Sequence, residues 1–457
     1  MMHDELKILL PLVTDNLKDE FNYKLTLLDA FTSPTPEQVL FTLEKSTEPE
    51  DLLDIAEAYA YAGKIDKANQ NIQKAIKIAR TQDANELCIT LSRAAIICGM
   101  TGTSGNHLLS EALKHATKDL ELNGSKCDCG ECFKKTIHSL ASNCADHIAL
   151  GFNDTTETLF AALKLMRQSG SDTDDSVIGL IARKLALKNE IEPTNSQALD
   201  TAITVYKSIN DRNERFFTSL QIGVAVSKLQ IVESAIPWMT RELPYKDEVA
   251  PYHLAMCIRA ASQADITQLP VEENARAILE AVWKDYLNAL EKKSKNMEFI
   301  GFELESVLTN YLLAGAHAKK PVFFNMVEPL ISIMPIAKTA WRFELELAEH
   351  EADLGQSAVE ASIARLSRLL EETDNNPKFK FDLETKKELL YKFTMANSRL
   401  YSTFGDVRFL NLLQNALHSK LASSISKMER SYLLLEAIRI IHSMKIDDKY
   451  GVRFFRF

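Results

Sequence analysis

Apolar side chains recur along this chain at the three- and four-residue spacing of an amphipathic helix. They do so most regularly over 52–78, LLDIAEAYAYAGKIDKANQNIQKAIKI. Leu52, Ile55, Ala56 and Tyr59 share one face of a first helix, and Ala68, Ile72, Ala75 and Ile76 share one face of a second. Gly63-Lys64 falls between the two sets, where the chain must turn. Ala56 and Ala68 are small enough to let two helices approach closely, so the stretch predicts one antiparallel helix hairpin.

The same period continues on both sides. Residues 4–32 read as one or two amphipathic helices. Thr35-Pro36-Glu37-Gln38 and Thr47-Glu48-Pro49-Glu50 read as helix starts, with a threonine to cap and a proline near the first helical position; Gln38 completes a capping box. Further helices are predicted over 85–98, 107–120, 140–150, 156–167, 176–188, 196–208, 212–229 and 232–242. The series goes on over 249–263, 271–293, 298–318, 322–333, 337–354, 357–372, 383–404, 407–419 and 427–444. Pro237 predicts a kink or a late start in its helix. SGSDTDDS (169–176) reads as a solvated linker and 372–382 as a long polar break, which divide one continuous array into segments 1–168, 177–371 and 383–457. No alternating run is bounded by hairpin turns, so no sheet is predicted.

A tyrosine followed four residues later by glycine occurs at Tyr59/Gly63, Tyr311/Gly315 and Tyr401/Gly405, with His147/Gly151 as a related pair. Each is expected to close one helix before the next begins. Such turns recur at about forty residues or about twice that, within the range of helical solenoids. The pattern resembles the tetratricopeptide-repeat superfamily, carried by Leu52, Ile55, Ala56, Tyr59, Gly63, Ala68, Ile72 and Ala75. Ile222, Gly223, Val226 and Ala235 match in part, with Gln230 in the turn position, and the Tyr401 unit has Ser398 where a small residue is expected. A HEAT-like or other α-solenoid accommodates these weaker units as well. The expected fold is therefore all-α, a superhelical array of antiparallel helix hairpins. The resemblance implies an adaptor, co-chaperone or regulatory module.

Composition agrees with long helices and narrows the partners. In 457 residues there are only 15 Gly and 13 Pro, 46% of residues are hydrophobic and 25% charged. A net charge of −10 argues against a binder of nucleic-acid backbone. No apolar run is long enough to span a membrane, and the first residues do not read as a secretory signal. Seven cysteines, an odd number in a long chain, do not read as a disulfide framework, so a reducing, cytoplasmic setting is expected.

Several clusters carry candidate chemistry. Cys127, Cys129 and Cys132 lie within six residues, and such thiolates can share a zinc ion. Three ligands are too few for a closed site. Cys144 and His147 are the nearest additions, but both fall on the face with Leu140 that the pattern buries. Without metal, Cys129/Cys132 is a candidate redox pair or a reduced loop. The glycine-rich run 99–105 lacks the ending of a P-loop and reads as an interhelical loop. Glu344, Glu346, Glu349, His350, Glu351 and Asp353 form an acidic cluster, which reads as a solvated helix face rather than a cation or basic-peptide site. Trp238, Trp283 and Trp341 follow apolar stripes and read as core. The aromatic end, 450–457, reads as packing back on the last helices or docking into another protein. Arg212, Arg215 and Arg241 form a basic set in an acidic chain and are the expected partner-binding residues, on the inner surface of the array. The sequence thus predicts a protein- or peptide-binding scaffold and no enzyme. A metal- or redox-responsive regulator, or an enzyme assembled from scattered residues, remain as alternatives.

Overall fold

The computed structural model describes residues 5–123, 132–169, 174–191, 196–229, 232–243, 249–266 and 270–453. Every regular element among them is a helix. The chain divides into two compact units. One gathers 19–225 with the chain end from His442, and the other gathers 5–18 with 226–441.

The hairpin predicted over 52–78 is present as α3 (Pro49–Tyr61) and α4 (Ile65–Ala79). Leu52, Ile55, Ala56, Tyr59, Ala68, Ile72, Ala75 and Ile76 are all buried. Gly63 takes a φ of 75° at the turn, and the Lys64 N–H reaches back to the Tyr59 carbonyl at 2.8 Å. An L side chain there would be strained, so this glycine closes the hairpin.

In the first unit, α1 (Lys18–Thr32) and the short α2 (Pro36–Leu40) precede that hairpin. Then come α5 (Ala84–Met100), α6 (Asn106–Asn123), α7 (Cys132–Ala149), α8 (Thr156–Ser169), α9 (Asp174–Ile191), α10 (Ser196–Tyr206) and α11 (Arg212–Lys228). Helix α3 packs on α5, α5 on α7 and α7 on α9, while α4, α6, α8 and α10 each pack back on the helix before them. Successive hairpins are thus stacked through their first helices, which is how helical repeats bury a face that one hairpin leaves open.

The second unit repeats this arrangement. Its helices are α12 (Val232–Thr240), α13 (Pro251–Gln263), α14 (Val271–Glu291), α15 (Met297–Ala318), α16 (Pro321–Ser332) and α17 (Ala337–Glu351). They continue with α18 (Gln356–Asn375), α19 (Leu383–Phe404), α20 (Arg408–His418) and most of α21 (Lys427–Tyr450). Here α13 packs on α15, α15 on α17 and α17 on α19, with α16, α18 and α20 packed back on their predecessors. The fold is all-α, built of stacked helix hairpins.

Three local expectations are corrected. Gly315 makes no turn: it lies inside α15, and a Cβ there would come within 2.3 Å of the Phe324 ring on α16. Its role is close approach across the hairpin, and Lys319, at φ 53°, closes the helix instead. Thr35 is the N-cap of α2 but makes no side-chain cap hydrogen bond, and Glu48 rather than Thr47 precedes α3. The linker expected at 169–176 is helical from Asp174, and Asp174 is buried. The Asp175 carboxylate accepts from the backbone N–H groups of Asn210 and Asp211 at 3.0 and 2.9 Å and pairs with Arg167. Pro237 sits within α12, which begins at Val232.

Two glycines of one helix separate packing from propensity. A Cβ at Gly301 meets nothing within 4 Å, whereas one at Gly315 meets Phe324. Gly301→Ala is expected to stabilise by about 0.5–1 kcal/mol. Gly315→Ala is expected to destabilise by about 1–3 kcal/mol. Ala68→Arg forces a charge into a closed helix contact and is expected to cost at least about 1–3 kcal/mol. Denaturant melts of the three variants check the signs.

Candidate functional site

The interior of each unit carries charges that join neighbouring hairpins. Asp54 on α3 is buried between Arg93 of α5, at 2.5 Å, and Lys24 of α1, at 2.9 Å. Burial pushes the Asp54 carboxyl up, but Arg93 and then Lys24 more than offset it and hold it well below the usual carboxylate range. Asp146 of α7 pairs with Lys184 of α9, and both are buried. In the second unit, Arg342 of α17 pairs with Glu305 of α15 at 2.7 Å, and Arg399 of α19 pairs with Glu349 at 2.5 Å and Asp353 at 3.2 Å. Each of these pairs crosses between the first helices of adjacent hairpins.

This ladder overturns the solvated reading of the acidic cluster. Glu344 and Glu351 bind Arg365 of α18, which also reaches Glu328 of α16 at 2.5 Å. Glu346 accepts from Thr309 at 2.9 Å and lies 3.5 Å from Arg342. Glu344, Glu349, Glu351 and Asp353 are thus partners of arginines on other helices, and Glu346 of Arg342 on its own helix.

His147 and Cys144 are buried, as their position in the pattern implied. The His147 Nε2 accepts the Gly105 N–H at 2.9 Å, which leaves the proton on Nδ1 to donate to the Thr155 hydroxyl at 2.6 Å. Its ring stacks on Phe152 at 4.6 Å. Burial lowers its pKa to about 4, against the pull of Asp154, so the imidazole is neutral. It pins the 99–105 loop by a backbone hydrogen bond.

Cys127 and Cys129 lie outside the described residues, and of Cys132 only the backbone, at the start of α7, is described. The zinc expectation therefore stays with the sequence. Among the described residues no group of His, Cys, Asp and Glu is placed to hold a metal ion. The described cysteines Cys88, Cys98, Cys144 and Cys257 are free thiols. Burial pushes Cys88 and Cys257 up to about 12, which disfavours the nucleophilic thiolate.

The three arginines of the expected basic set lie on two elements, Arg212 and Arg215 on α11 and Arg241 after α12. Arg212 is exposed at the start of α11, in the first unit. Arg215, one turn on, donates to the Tyr206 hydroxyl at 3.2 Å and lies 4.8 Å from the centre of that ring. Arg241 follows α12 in the second unit and lies 4.0 Å over Trp238. Trp341 is core, with its indole N–H donated to Thr373 at 2.7 Å, while Trp238 and Trp283 are half-buried.

Two surface features of the second unit lay beyond the sequence reading. Phe299 and Phe302 share a face of α15 and are 58% and 56% exposed, and Tyr252 of α13 meets Phe302 edge-on at 6.2 Å. Separately, the turn between α18 and α19 and the turn after α20 enclose a pocket of about 280 Å³. Asn375, Phe379, Lys380, Phe381, Lys386 and Lys420 are among its lining residues. Clusters of lysine and phenylalanine over 378–386 hint at it in the sequence, but Lys420 comes from a hairpin later and no local spacing connects it.

No family model matches the chain, and no curated protein matches it. A solved structure described as a circular tandem repeat protein with novel repeat topology and enhanced subunit contact surfaces aligns with 94% of this chain and 98% of its own. The sequence identity is 13% and the TM-score 0.29, an overlap too loose to transfer a topology. None of the described helices is long and apolar enough to cross a membrane.

The buried charges set measurable expectations. Asp54→Ala leaves the half-buried Arg93 and Lys24 without their shared carboxylate and is expected to cost about 1–3 kcal/mol in a denaturant melt. His147 has a depressed pKa, so the unfolded chain binds more protons than the native one between its ordinary value near 6.5 and about 4. Its contribution is complete above that window and is lost as pH falls through it. Stability measured from pH 7 to pH 4 should therefore drop more steeply in wild type than in His147→Gln, by on the order of 3 kcal/mol.

Proposed function

We propose that the protein is a tetratricopeptide-like scaffold that holds a partner protein, with no catalytic step of its own. The hairpin α3/α4 supports the tetratricopeptide likeness, since Leu52, Ile55, Ala56, Tyr59, Ala68, Ile72 and Ala75 are buried where the repeat needs them and Gly63 makes the turn. Three strongly perturbed groups, Asp54, His147 and Arg365, each engage a neighbouring structural element. That use of polarity builds an array rather than a reacting centre.

The observation that carries the binding reading is the aromatic patch on α15. Two phenylalanines more than half exposed, one helical turn apart and backed by Tyr252, are costly to leave in water. Aromatic anchors of this kind supply much of the energy of protein interfaces. The occupant is a partner protein presenting a complementary apolar surface.

Phe299→Asp with Phe302→Asp tests the reading. Proteins captured by the wild type from an extract of the native cells are expected to fall at least tenfold with the double variant. Melting is expected to shift by less than about 0.5 kcal/mol, as for exposed positions. Equal capture by both proteins, or capture by neither, overturns it.

A further inference from the structure

The pocket between α18, α19 and the turn after α20 is a place of concentrated positive charge in a chain of net charge −10. Lys380, Lys386 and Lys420 line it. The Lys386 ammonium donates to the Ser423 hydroxyl at 3.2 Å, a neutral partner that leaves its charge uncancelled. The Lys420 ammonium donates to the Asp374 carbonyl, while the Asp374 carboxylate accepts the Lys420 backbone N–H at 2.7 Å. Lys380 is exposed at the rim. Three lysines and one acidic residue, Asp374, thus line the pocket, and that excess of positive charge favours an anion there.

Two phenylalanines add apolar surface among the polar lining residues. Phe379 and Phe381 are half-buried, with ring centres 5.8 Å apart. At about 280 Å³ the pocket falls just short of the space that drug-sized ligands occupy, and it suits one or two side chains. Lysines act as point charges without the planar fork that arginine offers to phosphate, so they accept a carboxylate in several poses. We propose that this pocket binds an acidic peptide segment, seating an Asp or Glu carboxylate among Lys380, Lys386 and Lys420 and laying a neighbouring apolar side chain on Phe379 and Phe381. This rests on the scaffold reading and gives it a second contact, chemically distinct from the aromatic patch.

The test uses the full chain and two fluorescein-labelled peptides, Gly-Glu-Leu-Glu-Gly and its neutral counterpart Gly-Gln-Leu-Gln-Gly, followed by anisotropy. The acidic peptide is expected to bind about fivefold to tenfold more tightly than the neutral one at low salt, and the difference is expected to collapse at high salt. Lys380→Glu with Lys386→Glu is expected to abolish that preference while the melting curve stays in place. Should the double variant unfold, Lys380→Gln alone removes one exposed charge and is expected to reduce the preference about twofold. Equal binding of the two peptides, or an unchanged preference in the variant that folds, overturns the proposal. Inorganic phosphate that displaces the acidic peptide at equal concentration overturns the assignment to a peptide. Partner capture through Phe299 and Phe302 is measured separately, so failure at the pocket leaves the scaffold reading standing.

Discussion

A charge taken out of water must find its opposite inside the protein, and in this fold the opposite lies on the next hairpin. Asp54 with Arg93, Asp146 with Lys184, Glu305 with Arg342, and Glu349 with Arg399 all span first helices that stack on one another. Apolar contact can be satisfied over a range of rotations and slides. An ion pair cannot, because a charge that loses its partner is left uncompensated, at a cost that is largest for the buried Asp146–Lys184 pair and smaller for the half-buried ones. These pairs therefore act as pegs: they add little net stability over an apolar substitute, but they penalise a hairpin that stacks in the wrong register.

That division of labour explains what was legible. Helix and hairpin are encoded in apolar spacing, and the chain states that spacing plainly around Leu52 and Ile72. The pegs are not encoded locally. Glu349 looks like any charged residue on an amphipathic helix until Arg399, fifty positions later, is brought against it. The same blindness misassigned Gly315. Spacing from Tyr311 marks it as a turn, but its reason for being glycine is the ring of Phe324 on the facing helix. His147 was legible as buried because it occupies an apolar position, yet its hydrogen bond to Gly105 depends on a loop that folds back from an earlier hairpin.

The surface follows a similar logic. Charge along the chain does not reveal that Arg215 and Arg241 lie against the rings of Tyr206 and Trp238. The lysine pocket is assembled from two turns on the same side of the α18–α20 stack, so only the stack reveals it. In a repeat fold the helices define the frame, while the turns and unpaired helix faces are free to differ. Recognition is accordingly sought in Phe299, Phe302 and the lysine turns, where side chains are not needed to hold the hairpins together.

The way the two units draw on the chain ends has a consequence for how the protein is made. The second unit includes 5–18, where the Tyr401 hydroxyl donates to Glu5 at 2.6 Å and the Thr14 N–H to Ser431 at 2.9 Å. The first includes the last helix turns, where Lys449 donates to the Tyr61 carbonyl and the His442 ring lies 4.8 Å from that of Phe31. A ribosome releases the hairpins of the first unit long before it releases the residues that complete their packing. At ordinary synthesis rates that interval is on the order of ten seconds or more. During it Phe31 and Tyr61 lack their final cover, so the nascent chain must carry an unfinished apolar edge until His442 and Lys449 emerge.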